Sequence, residues 1–176
     1  GFSEEQLIST FTTYGFFLNP PIRLESTYLP AYDTVSDMGL ELIGQGQLQI
    51  TPVHLATIYS ILNNGGGFPS PHFLLEMDDH RKGWTDIPAL GTEQSVLTLF
   101  QSNEILDSLM QFNFPIWQVI SYAYNGPEQP LTWYVGGTMP GLDEPIVVVV
   151  LLESEDAELA EVIGQNLLSN FYSTQP

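Results

Sequence analysis

The sequence contains no cysteine. Disulfides, thiol nucleophiles and cysteine-ligated zinc or iron–sulfur centres are excluded together, and any redox compartment stays open. Cations are nearly as scarce. Arg23, Arg81 and Lys82 stand against 21 acidic residues, for a net charge of −18 at pH 7. Phosphate backbones are bound by lysine and arginine that displace counterions, so a nucleic-acid partner is excluded, and an anionic membrane surface with it. The excess acid otherwise speaks to solubility and not to fold. Long apolar runs are missing as well. The longest, Ile146 to Leu152, has seven residues, against the roughly 20 that span a bilayer. The opening Gly1-Phe2-Ser3-Glu4-Glu5 has neither the positive start nor the apolar stretch of a signal peptide. With Gly1 where a methionine would stand, the chain reads as a piece of a longer polypeptide. Internal repeats and low-complexity segments are absent too.

What is present suffices for a core. Of 176 residues 43% are hydrophobic, and 21 aromatic side chains set the chain apart from disordered sequences. The length favours one domain over residues 1–176. Ser3-Glu4-Glu5-Gln6 is a capping box, predicting a helix from Glu4 to about Thr13 that ends near Gly15. Leu18 to Asp37 reads as irregular, broken by Pro20-Pro21, Pro30 and Asp33. Thr51-Pro52 is a strong helix start, a hydroxyl cap followed by a residue whose missing N–H has no partner to lose. That helix is predicted to run to Asn63 or Asn64, before Gly65-Gly66-Gly67. Its apolar residues, Val53, Leu55, Ala56, Ile58, Tyr59, Ile61 and Leu62, cover most of its circumference, so it is expected to be buried.

A strand is predicted over His72 to Met77 and a polar loop from Asp78 to Gly91. Helical signal resumes near Gln94, with Ser102 as the cap of a helix from Asn103 to Met110 in which Ile105, Leu106, Leu109 and Met110 recur. The C-terminal third is clearer. Trp117 to Tyr124 reads as a strand, Asn125-Gly126 as a turn and Thr132 to Gly137 as a second strand. Ile146 to Leu152 is a third, its unbroken Ile-Val-Leu run implying burial on both faces. A closing helix starts near Ser154 with Glu155 and Asp156 in its first turn, and Leu159, Val162, Ile163 and Leu167 form its apolar stripe. The fold class is α+β: helices plus an antiparallel sheet, a three-strand C-terminal meander closed by a helix.

Candidates for chemistry are thin. His54, His72 and His80 are too scattered for a metal motif, and no His-x-x-x-His spacing occurs. His54 reads as a core or rim histidine and His80, beside Asp78-Asp79, as part of a solvated loop. A Gly-x-Ser-x-Gly elbow is missing, which argues against Ser-His-Asp hydrolysis. The carboxylate pairs Asp143-Glu144 and Glu153-Glu155 have structural readings, a loop between strands and a helix start. Gly65-Gly66-Gly67 lacks the Lys-Ser/Thr of a phosphate loop. Tyr122, Tyr124 and Tyr134 can form an aromatic patch for a peptide or glycan, although alternation sends one face of them to the core. No metal or cofactor is implied.

Gly44-Gln45-Gly46-Gln47-Leu48-Gln49-Ile50-Thr51-Pro52-Val53-His54-Leu55-Ala56, followed by Asn63-Asn64-Gly65-Gly66, resembles a stretch of the penicillin-binding protein transpeptidase domain. Thr132-Trp133-Tyr134-Val135-Gly136-Gly137, with the Ile146 to Glu153 strand after it, is similar to that family's Trp-Phe-Val-Gly strand and its successor. The N-terminal helix leading to Tyr14-Gly15-Phe16 also fits the order. The matched blocks are structural: Gly46 for a tight turn, Thr51-Pro52 for a central helix, Trp133 as an anchor of the sheet.

The resemblance implies that catalysis would lie in Ser-x-x-Lys, Ser-x-Asn and Lys-Thr-Gly. Ser-x-x-Lys is absent, since three residues before the only lysine, Lys82, stands Asp79. A serine without a neighbouring base is a weak nucleophile. The first two motifs are expected upstream. The third is expected on the strand before Trp133, which reads Val119-Ile120-Ser121-Tyr122. There Ser121 takes the place of threonine, Ile120 or Val119 that of lysine, and Tyr122 that of glycine. An alkyl group cannot hold a carboxylate as an ammonium does, and tyrosine fills space a substrate backbone needs.

The resemblance therefore implies a catalytically degenerate, non-catalytic scaffold or interaction module in peptidoglycan assembly. It would lie outside the cytoplasm in the cell envelope, anchored by an upstream segment, with Ile120, Ser121 and Tyr122 as degenerate cleft-strand positions. Its partners would be other cell-wall or membrane proteins and a peptidoglycan peptide. Two alternatives stand beside it: the C-terminal half of an active D,D-transpeptidase with Ser-x-x-Lys upstream, and a small extracellular binding domain using the tyrosine-rich strand. Without the family's flanking strands, Ile146 to Leu152 would be an open apolar edge, predicting either a homodimer through it or another segment over it.

Overall fold

The computed structural model describes residues 3–22, 31–71, 73–90, 94–111, 115–126, 129–139 and 145–174. Arg23, Pro30, His72, Gly91, Asp143 and Glu144 lie outside them. Helix α1, Glu4–Thr13, has the expected capping box: Gln6 N–H donates to Ser3 Oγ at 3.2 Å and Ser3 N–H to Gln6 Oε1 at 2.9 Å. Helix α2, Met38–Leu42, is capped by Asp37 and is too short to show a hydrophobic period. Helix α3, Pro52–Asn63, starts on Thr51 as read, and His54, Thr57, Ile58, Ile61 and Leu62 are buried along it.

The middle of the chain departs from the sequence reading. Strand β1, Gly67–Phe68, pairs with β4, Gln94–Ser95, so the chain is extended at Gln94 and not helical. Strands β2, Glu76–Asp78, and β3, Trp84–Asp86, form a small hairpin where a strand over His72 to Met77 and a polar loop were expected. Their side chains are largely exposed, so no alternation marks them. Helix α4, Leu99–Leu109, is capped by Thr98, whose hydroxyl accepts from Gln101 N–H in a second capping box. Ser102 is not the cap. It lies inside α4, fully buried, and donates to the Leu62 carbonyl of α3 at 2.7 Å.

Strands β5, Ile116–Tyr124, β6, Pro130–Thr138, and β7, Val147–Leu152, form the predicted antiparallel meander in the order β5-β6-β7. Trp117 faces Gly137, Ser121 faces Trp133, and Val135 faces Val149. Helices α3 and α4 cover one face, around Ile61, Leu106, Trp117 and Val135. Helix α5, Ala157–Thr174, covers the other, around Ile116, Tyr134, Ala160 and Leu168. Both faces of β7 are thus packed, as its sequence implied, while every one of its residues stays half-buried.

Two details of α5 differ from the reading. Its cap is Asp156, whose carboxylate accepts from Leu159 N–H at 2.9 Å, and Glu155 precedes the helix. The buried stripe is Ala160, Gly164 and Leu168, whereas Leu159, Val162 and Leu167 are about half exposed. Tyr134 is the cause. Its ring lies where a Cβ on Gly164 would come within 2.1 Å, so the helix turns small residues toward the sheet and its large ones outward.

Candidate functional site

Strand β5 is the outer strand of the sheet and carries the three cleft-strand positions. Ile120 faces α5 and packs against the Tyr134 cluster. Ser121 is exposed, opposite Trp133, and Tyr122 is 46% exposed, opposite Thr132. Met139 N–H donates to the Pro115 carbonyl, which fixes the hydrogen-bonded pairs of β5 and β6 at odd positions. The main-chain groups of Gln118, Ile120 and Tyr122 consequently point away from β6. At the start of this edge Gln111 N–H takes the Ile116 carbonyl at 2.9 Å. Beyond it, no strand of the described residues pairs with this outer edge of β5, whose inner edge is taken by β6.

The described residues bring no activated serine to this edge. Ser60, Ser95, Ser102, Ser108 and Ser173 each donate to a backbone carbonyl, and none is joined to Lys82 or to a histidine. Lys82 lies in the β2–β3 turn, where its N–H and that of Arg81 bond Asp79 and hold that carboxyl below its usual range. His80 is exposed in the same turn with Nδ1 3.1 Å from Asp78 Oδ2, the solvated arrangement expected of it.

His54 is a buried histidine with both ring nitrogens engaged. Nδ1 is 2.8 Å from Thr51 Oγ1, and Nε2 is 2.9 Å from the Leu18 carbonyl. A carbonyl only accepts, so Nε2 carries the proton and Nδ1 accepts from the Thr51 hydroxyl. Burial lowers its pKa, with the Leu18 bond opposing, and the ring ties α3 to the turn after α1. No group of three potential metal ligands occurs among the described residues. Glu153 and Glu155 are exposed, Glu155 lying 3.5 Å from the Tyr124 hydroxyl. The tyrosines divide: Tyr122 and Tyr124 are about half exposed on one face of β5, and Tyr134 is fully buried.

Two polar centres, one on half-buried Asn63 and one on buried Glu41, carry no signal in the sequence. Asn63 donates to the Thr138 carbonyl at 3.0 Å and to the Ile146 carbonyl at 3.3 Å, and it accepts from Trp117 Nε1 at 2.8 Å. Tyr59 stacks on the same indole, centroids 5.7 Å apart. The asparagine had registered only as a helix stop. Glu41, 3% exposed, accepts from Gln47 N–H at 2.7 Å, from Leu48 N–H at 3.1 Å and from the Tyr32 hydroxyl. Burial first, and then the Glu41 bond and charge, push the Tyr32 hydroxyl well above its usual range. Gly46 serves this close approach, since a Cβ there would fall 1.8 Å from Glu41 Oε2. Both centres order the backbone and neither offers a nucleophile.

No protein-family profile matches the chain, and no curated protein does. Solved structures do. A penicillin-binding protein A from M. tuberculosis, an imipenem acyl-enzyme complex, superposes with a TM-score of 0.75 at 22% identity, over 96% of this chain and 42% of that one. Penicillin-binding protein 3 from Mycobacterium tuberculosis, complexed with aztreonam, gives 0.75 at 14% identity, over 97% and 47%. A peptidoglycan synthetase from Bifidobacterium adolescentis gives 0.69 at 15%, over 99% and 37%. The chain has the transpeptidase-like fold of these proteins over nearly its whole length and spans less than half of each.

Proposed function

We propose that a chain with this fold works in cell-wall assembly, outside the cytoplasm, as a scaffold or interaction module that does not itself carry out transpeptidation. The fold likeness supports the setting. The observation that carries the non-catalytic reading is β5: its middle offers a half-buried Ile120 and exposed Ser121 and Tyr122, with no ammonium to hold a substrate carboxylate. Ile120 is engaged in the Tyr134 cluster, and Tyr122 projects its phenol from the strand. These three are the proposed degenerate cleft-strand positions. No helix among the described residues is long and apolar enough to cross a membrane, so the reading places any anchor in a segment upstream of this one.

Acylation by a fluorescent penicillin tests it, on this chain and on the longer polypeptide carrying the upstream part. The expected outcome is no covalent labelling of either, with folding verified by near-ultraviolet circular dichroism. Labelling of the longer protein, lost on prior denaturation, would replace this reading by that of an active D,D-transpeptidase whose serine lies upstream. Labelling of this chain alone would overturn the argument from β5 itself.

A further inference from the structure

The β2–β3 hairpin carries a charge pattern that works against its own strands. Ile87 N–H donates to the Leu75 carbonyl at 2.8 Å, which makes Leu75 and Ile87 a hydrogen-bonded pair. Alternation then makes Glu76–Asp86 and Asp78–Trp84 the non-hydrogen-bonded pairs, whose side chains stand closest, and puts both on one face. Residues opposed in this way lie about 5 Å apart at Cβ, and like charges so placed repel each other. Glu76 and Asp86 face one another across the ladder, both exposed.

Among the described residues no cation answers this pair. Arg81 and Lys82 sit in the turn, where their N–H groups bond Asp79, and neither forms an ion pair with Glu76 or Asp86. His80 is spent on Asp78: its N–H donates to one carboxylate oxygen at 2.8 Å, and its Nδ1 lies 3.1 Å from the other. Beside the unanswered carboxylates, on the same face, stands Trp84, 71% exposed. An indole next to two carboxylates is the complement of a guanidinium, which stacks on the ring and donates to carboxylates through its fork. A metal ion would leave the ring idle, and a second copy would bring a net charge of −18 to a face already negative. The site is the flat of a hairpin, which strand pairing at either edge leaves open.

We infer that the Glu76–Asp86–Trp84 face of the hairpin docks an arginine side chain presented by a basic partner protein. The guanidinium lies against the indole and bridges the two carboxylates. Ring contact supplies the preference for arginine, and the opposed charges supply the attraction. The bound cation also relieves the repulsion between β2 and β3, so the hairpin tightens on binding. This goes beyond the functional reading above and does not depend on it.

The probe is N-acetylated, amidated triarginine, with trilysine and triglutamate beside it, followed by the Trp84 indole N–H and Thr85 amide resonances in heteronuclear NMR spectra. Triarginine should bind about three-fold tighter than trilysine, and triglutamate should leave both resonances unmoved. The response should fade at about 0.5 M salt. Glu76→Gln with Asp86→Asn should weaken binding about ten-fold or more. Glu104→Gln with Asp107→Asn, the same change of charge on the exposed side of α4, should leave it unaltered. Trp84→Ala should erase the preference for arginine. Asp86→Arg, which supplies the cation from within, should abolish binding and slow amide exchange at Met77 and Thr85. An equal loss from the α4 pair would mean that net charge alone draws the peptide and would overturn the proposal. So would equal affinities for triarginine and trilysine, or a Trp84 signal that moves with protein concentration in the absence of peptide, which makes a second copy the occupant. An indole shielded from acrylamide quenching in a longer form of the polypeptide would show that the face is covered from within and would overturn it equally.

Discussion

The two faces of the central sheet solve the same packing problem by opposite means. On the α3–α4 face a large aromatic, Trp117, is fully buried and its one polar atom is tied to Asn63, which in turn ties the ends of β6 and β7. On the α5 face another aromatic, Tyr134, is equally buried, and its hydroxyl alone among the described buried side-chain polar atoms has no protein partner. Shape holds it instead, in the slot left by Gly164. One face is specified by hydrogen bonds and the other by fit. The same kind of substitution should therefore have opposite consequences on the two.

The largest effect is expected from Trp117→Ala, which empties the first face and strands the Asn63 carbonyl. Loss of about 4 kcal/mol is expected by analogy with large-to-small core changes, read as the shift in urea midpoint at constant slope. Gly164→Ala tests the second face from the other direction. A single methyl 2.1 Å from the Tyr134 ring should cost about 3 kcal/mol, at the upper end of overpacking, although alanine is the better helix former. A milder loss would mean that α5 can lift from the sheet and that fit is not the constraint.

The sharpest contrast pairs two smaller changes. Asn63→Ala leaves the buried indole N–H and the Thr138 carbonyl without their partner, while the Ile146 carbonyl keeps the Thr138 N–H, for about 2 kcal/mol. Tyr134→Phe removes a hydroxyl that bonds nothing and should be neutral or stabilising by up to about 1 kcal/mol. If both destabilise alike, the hydroxyl has a partner and the two faces are not opposites. The smallest effect concerns His54, another polar tie of α3. Burial lowers its folded pKa, so below the unfolded value of about 6.5 the unfolded chain binds a proton that the folded one refuses. Its contribution is fully present above that pH and is lost as pH falls toward the folded value. Thermal melts of the natural chain and of His54→Gln at pH 5 and pH 8 should differ less at pH 5.

What could be read from the sequence follows from where local signals coincide with packing. Ser3 and Thr51 announce helices that need no tertiary help to begin, and the Val-Val-Val-Val-Leu-Leu run of β7 has no rival reading. Two misplacements share a cause in long-range contact. Ser102 looks like a cap because it is a hydroxyl before a periodic segment, but it is spent on a carbonyl of α3, and Thr98 with Gln101 does the capping. The large residues of α5 look like its core stripe, but the slot for Tyr134 selects Ala160 and Gly164. The β2–β3 hairpin has no buried face and left no pattern to find. The cleft-strand positions were legible only by resemblance, since nothing in Ile120-Ser121-Tyr122 proclaims a site by its own chemistry.

Asn63 has a consequence in time as well as in space. Its partners lie 54, 75 and 83 residues away along the chain. Loops of that length close against an entropy that grows with the logarithm of their size, and the reward comes only once they are closed. The amide is thus placed to fasten late, and contacts made late bear on how slowly a native chain comes apart more than on how quickly it assembles.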